Sequence, residues 1–288
     1  MDLSIIITSH NTKELLSRCL ASLERFLKSA DFFYEVIVVE NASTDGTIEI
    51  LQKEYKTVIG VDNKTNVGFG KANNQGIQKA KGEYILLLNS DTEITDDAID
   101  KLLTFNTSHK KSFVGAKLVN SDGSSQTSCG PFFSLPVVFA ILFLKSDVLG
   151  FTRWSPDRTT KVDWVSGACL MGLKKTFLDG LLFDEDIFMY MDEIDLLYRA
   201  RKKGYDVYFY PQSRVIHIGS GSSRDKRKAP ILNIFRGLQL FYKKHYPGWQ
   251  MPVLKGMLQC KALLGVIIGT LTGNKELKHT YEEAIRLV

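Results

Sequence analysis

The sequence predicts an α/β fold: a mostly parallel central sheet with helices on both faces, followed by a C-terminal helical, basic and partly apolar tail. Three observations point there. Residues 3–8, 35–39, 58–61 and 84–88 are short runs that are apolar at nearly every position instead of alternating, the pattern of strands buried on both faces. Segments with helical spacing separate these runs, so strand and helix alternate along the first half. Each run ends in a cluster of small polar residues, and ligands on such sheets bind where loops leave the carboxyl ends of strands.

The elements follow in order. After the first strand, Asn11 with Glu14 three residues on makes a helix cap, and Leu15, Leu16, Cys19, Leu20, Leu23, Phe26 and Leu27 continue at helical spacing. Asp45-Gly46 is a turn into a short helix ending near Tyr55, and residues 68–81 form a glycine-interrupted helix. The second half turns α+β, with strands over 113–119, 165–173 and 205–210 and a helix over 192–203 closed by Gly204. Residues 134–144 are too short to span a bilayer, and the apolar stretch 253–271 carries Lys255 and Lys261. Both stretches suit docking at a membrane interface or a place as buried core helices.

With 44% hydrophobic and 24% charged residues in 288, the chain is an ordinary globular protein, neither disordered nor a disulfide scaffold. Its length allows one or two units, and the expected division is a domain over 1–223 and the tail over 224–288. Cys19, Cys129, Cys169 and Cys260 lack CxxC or metal-ligand spacing, which predicts buried reduced thiols in a reducing compartment. No basic flank or cleavage site surrounds the first apolar run, so a cytoplasmic location is expected. Residues 224–286 carry a net charge of +8 within a chain of net +5. Such a tail suits an anionic membrane surface, on the inner face of the plasma membrane, or a solvated face. Nucleic acid is not expected, because the basic residues are not interleaved with aromatics on a recognisable module.

Four polar clusters carry the chemistry: Ser9-His10-Asn11, the run from Glu40 to Asp45, the run from Asn63 to Asn66, and Asn89-Ser90-Asp91. Singly, each reads as a helix cap or turn. Together on one sheet edge they form a site in which Glu40, Asn41 and Asp45 accept hydrogen bonds from a nucleoside, and Asp91 holds a cation beside a diphosphate.

These residues stand in segments (SIIITSHN, VIVVENASTDGT, NVGFGKANNQGI, LLLNSDT, VSGACLM and FMYMDEIDLLYRARKKGY) whose content and order resemble family 2 glycosyltransferases of the GT-A fold, the rhamnosyltransferase-like branch in particular, over roughly residues 3–245. The resemblance implies that Ser9, His10, Asn11, Glu40, Asn41 and Asp45 meet the nucleoside. It also implies that Asn66, Gly68 and Asn73, with Asn89 and Ser90, shape the diphosphate and sugar pocket. The family's DxD is here Asn89-Ser90-Asp91, so a divalent cation, Mg²⁺ or Mn²⁺, rests on Asp91 with His217, whose imidazole suits Mn²⁺ better. His217 lies in VIHIGSGSS, whose Gly-Ser run presents N–H groups to phosphate. His10 stands where the family commonly has Tyr, and Glu40 where it has Asp.

An acceptor hydroxyl must lose its proton as it attacks. On a helix, Glu193 shares a face with Leu196, Leu197 and Ala200, which predicts that it points inward. The family pattern is Glu-Asp-x-Asp and this chain has Asp192-Glu193-Ile194-Asp195, so the base is assigned to Glu193, with Asp192 as the alternative. Trp164, Gly167 and Asp195 are placed on the acceptor side. The implied activity is inverting transfer of a sugar from a nucleoside-diphosphate donor, dTDP-rhamnose or a UDP-hexose, to a hydroxyl of a saccharide or lipid-linked acceptor in cell-surface polysaccharide synthesis. Two other classes compete. One is a non-catalytic nucleotide-sugar-binding or membrane adaptor protein. The other is a sugar-phosphate nucleotidyltransferase, which needs a glycine-rich basic loop where this chain has SHNTKELL.

Overall fold

A computed structural model describes residues 1–219 and 228–288. The expected division at 223/224 and the Gly-Ser run beyond Gly219 lie outside the described residues. The first half runs β1 (Leu3–Ser9), α1 (Lys13–Leu27), β2 (Tyr34–Asn41), α2 (Thr47–Glu54), β3 (Ile59–Asn63), α3 (Phe69–Lys79), β4 (Tyr84–Asn89), β5 (Thr92–Ile94) and α4 (Ala98–Ser108). There follow β6 (Ser112–Val119), β7 (Cys129–Gly130), α5 (Leu135–Leu144), β8 (Thr160–Lys161), β9 (Trp164–Val165), β10 (Cys169–Leu173), α6 (Lys174–Leu178), α7 (Asp192–Lys202) and β11 (Asp206–His217). The tail is α8 (Lys228–His245), α9 (Gln250–Leu271) and α10 (Lys275–Arg286).

The main sheet has the order β3-β2-β1-β4-β10-β6-β11-β5, with β8 on β11. Strands β3, β2, β1 and β4 are parallel, as are β6 and β11, whereas β10 runs antiparallel between β4 and β6. Strands β1, β2, β3, β4, β6 and β11 therefore all deliver their carboxyl ends to one edge. The order reverses at β1, with β2 on one side and β4 on the other, and this is the switch point where a parallel sheet opens a crevice.

Both faces of β1 are buried, as its unbroken apolar run requires. Ile6 lies against α3 in the core that α7 and α8 also line, while Leu3, Ile5 and Ile7 belong to the core on the opposite face, lined by α1 and α4. Gly76 is what lets α3 lie against β1, since a Cβ there would collide with Ile6. The tail continues the same core: Leu232, Phe235, Leu238 and Phe241 of α8 and Leu254, Leu258 and Ala262 of α9 join the Ile6 face. Helix α9 is long and apolar enough to cross a membrane by length and composition. Its inner stripe, Leu254, Leu258, Ala262, Gly265 and Gly269, is buried, and its two glycines admit Tyr281 and the Lys278 backbone of α10.

Three expectations change. Asn11 does not cap α1: Thr12 holds the cap position without a side-chain bond. Asn11 instead sits at φ 53, a left-handed conformation that asparagine tolerates. The strand expected over 165–173 is broken at Ser166-Gly167-Ala168: β9 pairs with β7 in a separate ribbon and only β10 enters the main sheet. An apolar run records burial and not strand direction, so it could not show this break. Of the four cysteines, three are buried, where burial pushes the Cys19, Cys129 and Cys169 thiols up to about 12, but Cys260 is exposed on α9.

Candidate active site

The loops after β1, β2 and β3 are stitched together by asparagine side chains. Asn41 donates from Nδ2 to Asn66 Oδ1 (2.9 Å) and the Gly68 carbonyl (3.3 Å), and its Oδ1 accepts from Asn63 Nδ2 (3.2 Å) and Val67 N (3.1 Å). This amide is used wholly within the protein, so Asn41 shapes the crevice. Asn66 Oδ1 also accepts from Gly68 N (3.0 Å), and Asn73 donates to the Phe69 carbonyl (3.0 Å). Gly68 has φ 88, and a Cβ on it would lie 2.7 Å from the Phe188 carbonyl oxygen, so only glycine fits. Asp45 is likewise occupied, accepting from Lys13 N (2.9 Å) and from the Thr47 hydroxyl (2.6 Å). Burial pushes its carboxyl up, but these hydrogen bonds outweigh that and hold it below the usual range.

His10 reaches the Asn41 carbonyl through Nδ1 (2.8 Å), and Asn11 Oδ1 accepts from Thr44 N (2.8 Å), joining the first loop to the second. Glu40 is buried, with Oε1 accepting from Ser43 N (2.8 Å) and Oε2 without a partner among the described residues. An unsatisfied buried carboxylate oxygen is costly and suits a ligand N–H. Ser9 and Thr12 share a hydroxyl bond (2.9 Å), and Thr12 donates on to Ser90 Oγ (2.9 Å), bridging β1 and β4 at the switch point.

Asp91 follows β4, and Ile218 N donates to its carbonyl (2.9 Å), so the end of β11 lies beside it. His217 Nε2 stands 3.3 Å from Asp91 Oδ1. Gln126 orients the ring: its Nε2 donates to the Asn120 side chain and the His217 carbonyl (both 2.6 Å), which turns Oε1 to His217 Nδ1 at 2.9 Å. Nδ1 is thereby the donor, and Nε2 faces the carboxylate. Two ligands of one cation at about 2.1 Å sit about 3 Å apart, and a metal-binding histidine usually donates its other N–H to an oxygen, so this donor set fits a divalent cation. No group of three or more metal-ligating side chains occurs among the described residues; phosphate oxygens and water would complete the shell.

The three acids of α7 take different places. Asp192 is 1% exposed, lies against Gly70 and has Oδ1 without a partner among the described residues. Burial, then the charge of Glu193, push its carboxyl well above the ordinary range. Glu193, between the buried Asp192 and Asp195, was expected to point inward but is only half-buried. Its Cβ is 3.5 Å from where a Cβ on Gly167 would lie, and burial raises its carboxyl against the pull of Arg153. Asn89 N donates to the Ala168 carbonyl (3.0 Å), so the Gly167 turn links the Glu193 wall to the Asn89-Ser90-Asp91 turn. Asp195 is fully buried and bonded to Arg199 Nε (2.7 Å) and His245 Nε2 (2.5 Å). It offers no carboxylate edge to an acceptor, contrary to expectation. Trp164 is also enclosed, donating to the Pro131 carbonyl (2.9 Å), and presents only a ring face to Arg153, 5.1 Å away.

Two residues here carry no sequence signal: Gln126 lies in a Ser-rich loop, and Arg153 follows an irregular turn. Only the structure brings them to His217 and Glu193.

Residues 4–128 match the family model described as Glycosyl transferase family 2. The poly(ribitol-phosphate) beta-glucosyltransferase of Bacillus spizizenii is 34% identical over 128 residues, 43% of this chain and 20% of that protein. The chain thus spans about a fifth of that relative's length. The N-acetylglucosaminyl-diphospho-decaprenol L-rhamnosyltransferase of Mycobacterium tuberculosis is 27% identical over 265 residues, 82% of this chain and 85% of that one. A crystal structure of GalNAc-T7 with UDP, GalNAc and Mn²⁺ superposes with a TM-score of 0.61 at 16% identity, covering 99% of this chain and 54% of that one. The fold is the GT-A architecture, and residues 4–128 are similar to glycosyl transferase family 2.

Proposed function

We propose that the chain is an inverting glycosyltransferase of cell-surface polysaccharide synthesis, acting at the cytoplasmic face of the plasma membrane. The observation that carries this is the convergence, on one sheet edge, of the Glu40 carboxylate, the Asp91–His217 pair and the half-open Glu193 carboxylate. Glu40 and the loops clasped by Asn41 and Asn66 receive the nucleoside, and Asp91 and His217 would hold a divalent cation. Such a cation supplies positive charge where the diphosphate leaves.

Glu193 takes the proton of the acceptor hydroxyl as its oxygen attacks the anomeric carbon. The bond from that carbon to the diphosphate oxygen breaks on the opposite face, its electron pair leaving with the nucleoside diphosphate, so the anomeric centre inverts in one displacement. Glu193 is favoured over Asp192 because it is only half-buried, whereas Asp192 is enclosed and its carboxyl is raised well above the ordinary range.

The donor is dTDP-rhamnose or a UDP-hexose, supported by the rhamnosyltransferase name of the Mycobacterium relative and the UDP of the GalNAc-T7 complex. The acceptor is a saccharide or a lipid-linked saccharide, and the basic tail with its apolar α9 suits a peripheral place on the membrane. Glu193→Gln should lower turnover by about 10²–10⁴-fold with nucleotide binding retained. Calorimetry of UDP, dTDP and their sugars with and without Mn²⁺ reads the donor site, and an equal loss of turnover in Asp192→Asn alone would move the base there.

A further inference from the structure

We infer that the protein has a second ligand site, a cavity between β6, β11 and the start of α4 that receives a phosphate or carboxylate group on the side chains of Lys117 and Arg214. Strand β6 is two places beyond β4 in the sheet order, and no step of sugar transfer uses these residues.

The site grows from an irregularity in β11. Tyr210 pairs with Ala116 of β6, but the next pair is Arg214 with Lys117, so Pro211, Gln212 and Ser213 are extra residues in the strand. The bulge is fixed in place: Ser213 Oγ donates to the Ala98 carbonyl (2.8 Å), and Thr95 Oγ1 donates to the Arg214 carbonyl (2.7 Å). Successive side chains of a strand point to opposite faces. Leu118 and Val215, next to Lys117 and Arg214 in the chain, enter the core that α1 and α4 line. The two cations therefore share the other face, side by side as register partners. Like charges placed opposite one another on a sheet repel, and bulges that re-aim side chains are frequent beside functional sites.

Both cations line a cavity of about 530 Å³, whose other charged residues are Asp157 and, at the start of α4, Asp96, Asp97 and Lys101. Lys101 is taken by Asp97 (2.6 Å). Lys117 has a side chain only 7% exposed, yet the acid that meets its Nζ at 2.6 Å, Asp157, is 93% exposed. A buried ammonium is thus balanced by a carboxylate that keeps nearly all of its water. The bond and charge of Lys117, and then Arg214, hold the Asp157 carboxyl below the usual range. The Arg214 guanidinium is exposed, and no hydrogen bond or ion pair to it occurs among the described residues. A guanidinium with free donors beside a buried ammonium is an arrangement that takes an oxyanion. The ligand replaces Asp157 on Lys117, and Asp157 turns into the solvent it already faces. Asp96 and Asp97 oppose a highly charged ligand and so select a single phosphate or carboxylate group. His217 lies three residues further along β11, about 10 Å at the rise of a strand, so one phosphate group cannot serve both places.

The test is calorimetry of the full chain with UDP and Mg²⁺ filling the donor crevice, titrated with inorganic phosphate, glucose 1-phosphate, glucuronate and uncharged glucose. Phosphate should bind at about 1 mM, the strength of two charge-assisted bonds, and glucose should not bind. Lys117→Met and Arg214→Gln should each weaken phosphate by about tenfold. Asp157→Asn should instead tighten it by up to about fivefold, because an exposed ion pair no longer competes; a pair with only a structural role gives no such gain. Circular dichroism reports the fold of each variant, and since Arg214 and Asp157 are exposed, their variants decide the matter even where Lys117→Met unfolds. Tighter binding of glucose 1-phosphate or glucuronate than of inorganic phosphate supports a group carried on a sugar, and the reverse order supports a free ion. Absence of phosphate binding, equal binding of glucose, no loss in Arg214→Gln or no gain in Asp157→Asn overturns the site. Failure of UDP to bind the wild-type chain sinks the transferase reading instead, and the phosphate titrations of the variants still decide the cavity.

Discussion

His245→Ala isolates how the tail holds the catalytic helix. His245 ends α8, and its Nε2 meets Asp195 Oδ1 two residues beyond Glu193 on α7, while Arg199 Nε takes Oδ2 at 2.7 Å. Asp195 is 0% exposed, so water cannot replace the imidazole. Removing one partner of a buried pair costs about 3–5 kcal/mol, and the retained Arg199 places this case near 3 kcal/mol. Unfolding entropy of about 2.1 cal/mol/K per residue makes that a fall in Tm of about 5 °C for a chain of this length. Lys244→Ala is the control: it removes pairs with Asp184 (2.5 Å) and Asp186 (2.9 Å) in which Lys244 is 31% exposed and Asp186 73%, worth about 0–1 kcal/mol. Burial pushes the Asp195 carboxyl up, but His245 and Arg199 outweigh it and hold it below its ordinary value. Its contribution is therefore present above the unfolded carboxyl's range and is lost as pH falls through the folded value. The deficit of His245→Ala should be full at pH 7 and shrink toward pH 3. Thermal and urea unfolding followed by circular dichroism measure it, and a neutral-pH deficit no larger than that of Lys244→Ala would refute the clasp.

Asp192→Asn should stabilise the free protein at pH 8 but not at pH 4. The folded Asp192 carboxyl is raised by burial and by Glu193, so its stability is present below the unfolded value and lost as pH rises through the folded one; urea midpoints at the two pH values decide it. Gln126→Leu frees the His217 ring and should weaken Mn²⁺ binding to the nucleotide complex about 10–100-fold, seen by calorimetry with UDP, while UDP alone binds unchanged. Gly68→Ala, at φ 88 with its Cβ 2.7 Å from the Phe188 oxygen, should cost about 2 kcal/mol and loosen UDP. A stable, tight-binding variant would show that the 66–69 loop adapts.

The fold was legible where burial is two-sided. Ile5, Ile6 and Ile7 announce a strand covered on both faces, and the polar ends after Ser9, Asn41, Asn63 and Asn89 mark the working edge. What periodicity does not encode is direction and register between distant segments. Leu170 and Met171 are as apolar as Leu86 and Leu87, yet β10 runs antiparallel to β4, and Trp164-Val165 departs to another ribbon. Around the crevice, placements with local context were legible: Asp91 directly follows its strand, and Asp192, Glu193 and Asp195 open a helix. Residues delivered by long-range pairing were not. Gln126 reaches His217 across 91 positions, and Arg153 reaches the Trp164 face only because Trp154 bonds to Cys129. Asp195 misled for a related reason, since its partner His245 lies 50 residues on in a helix of the tail.

One helix start thus holds three carboxylates in three electrostatic settings. Asp192 is enclosed with an unmatched oxygen, and burial, then the charge of Glu193, raise its carboxyl well above the ordinary range. Burial raises Asp195 too, but its bonds to His245 and Arg199 outweigh that and hold its carboxyl below the ordinary range. Glu193, between them, is raised by burial and restrained by one nearby guanidinium. Of the three, only Glu193 is half-buried with a raised carboxyl, which is why the proposed base role falls to it. The division depends on α8 and on the Arg153 turn, both outside the strand loops of the nucleotide half. In the proposed reading, base strength is set from the α8 and Arg153 side, while the Asn41 clasp shapes the crevice.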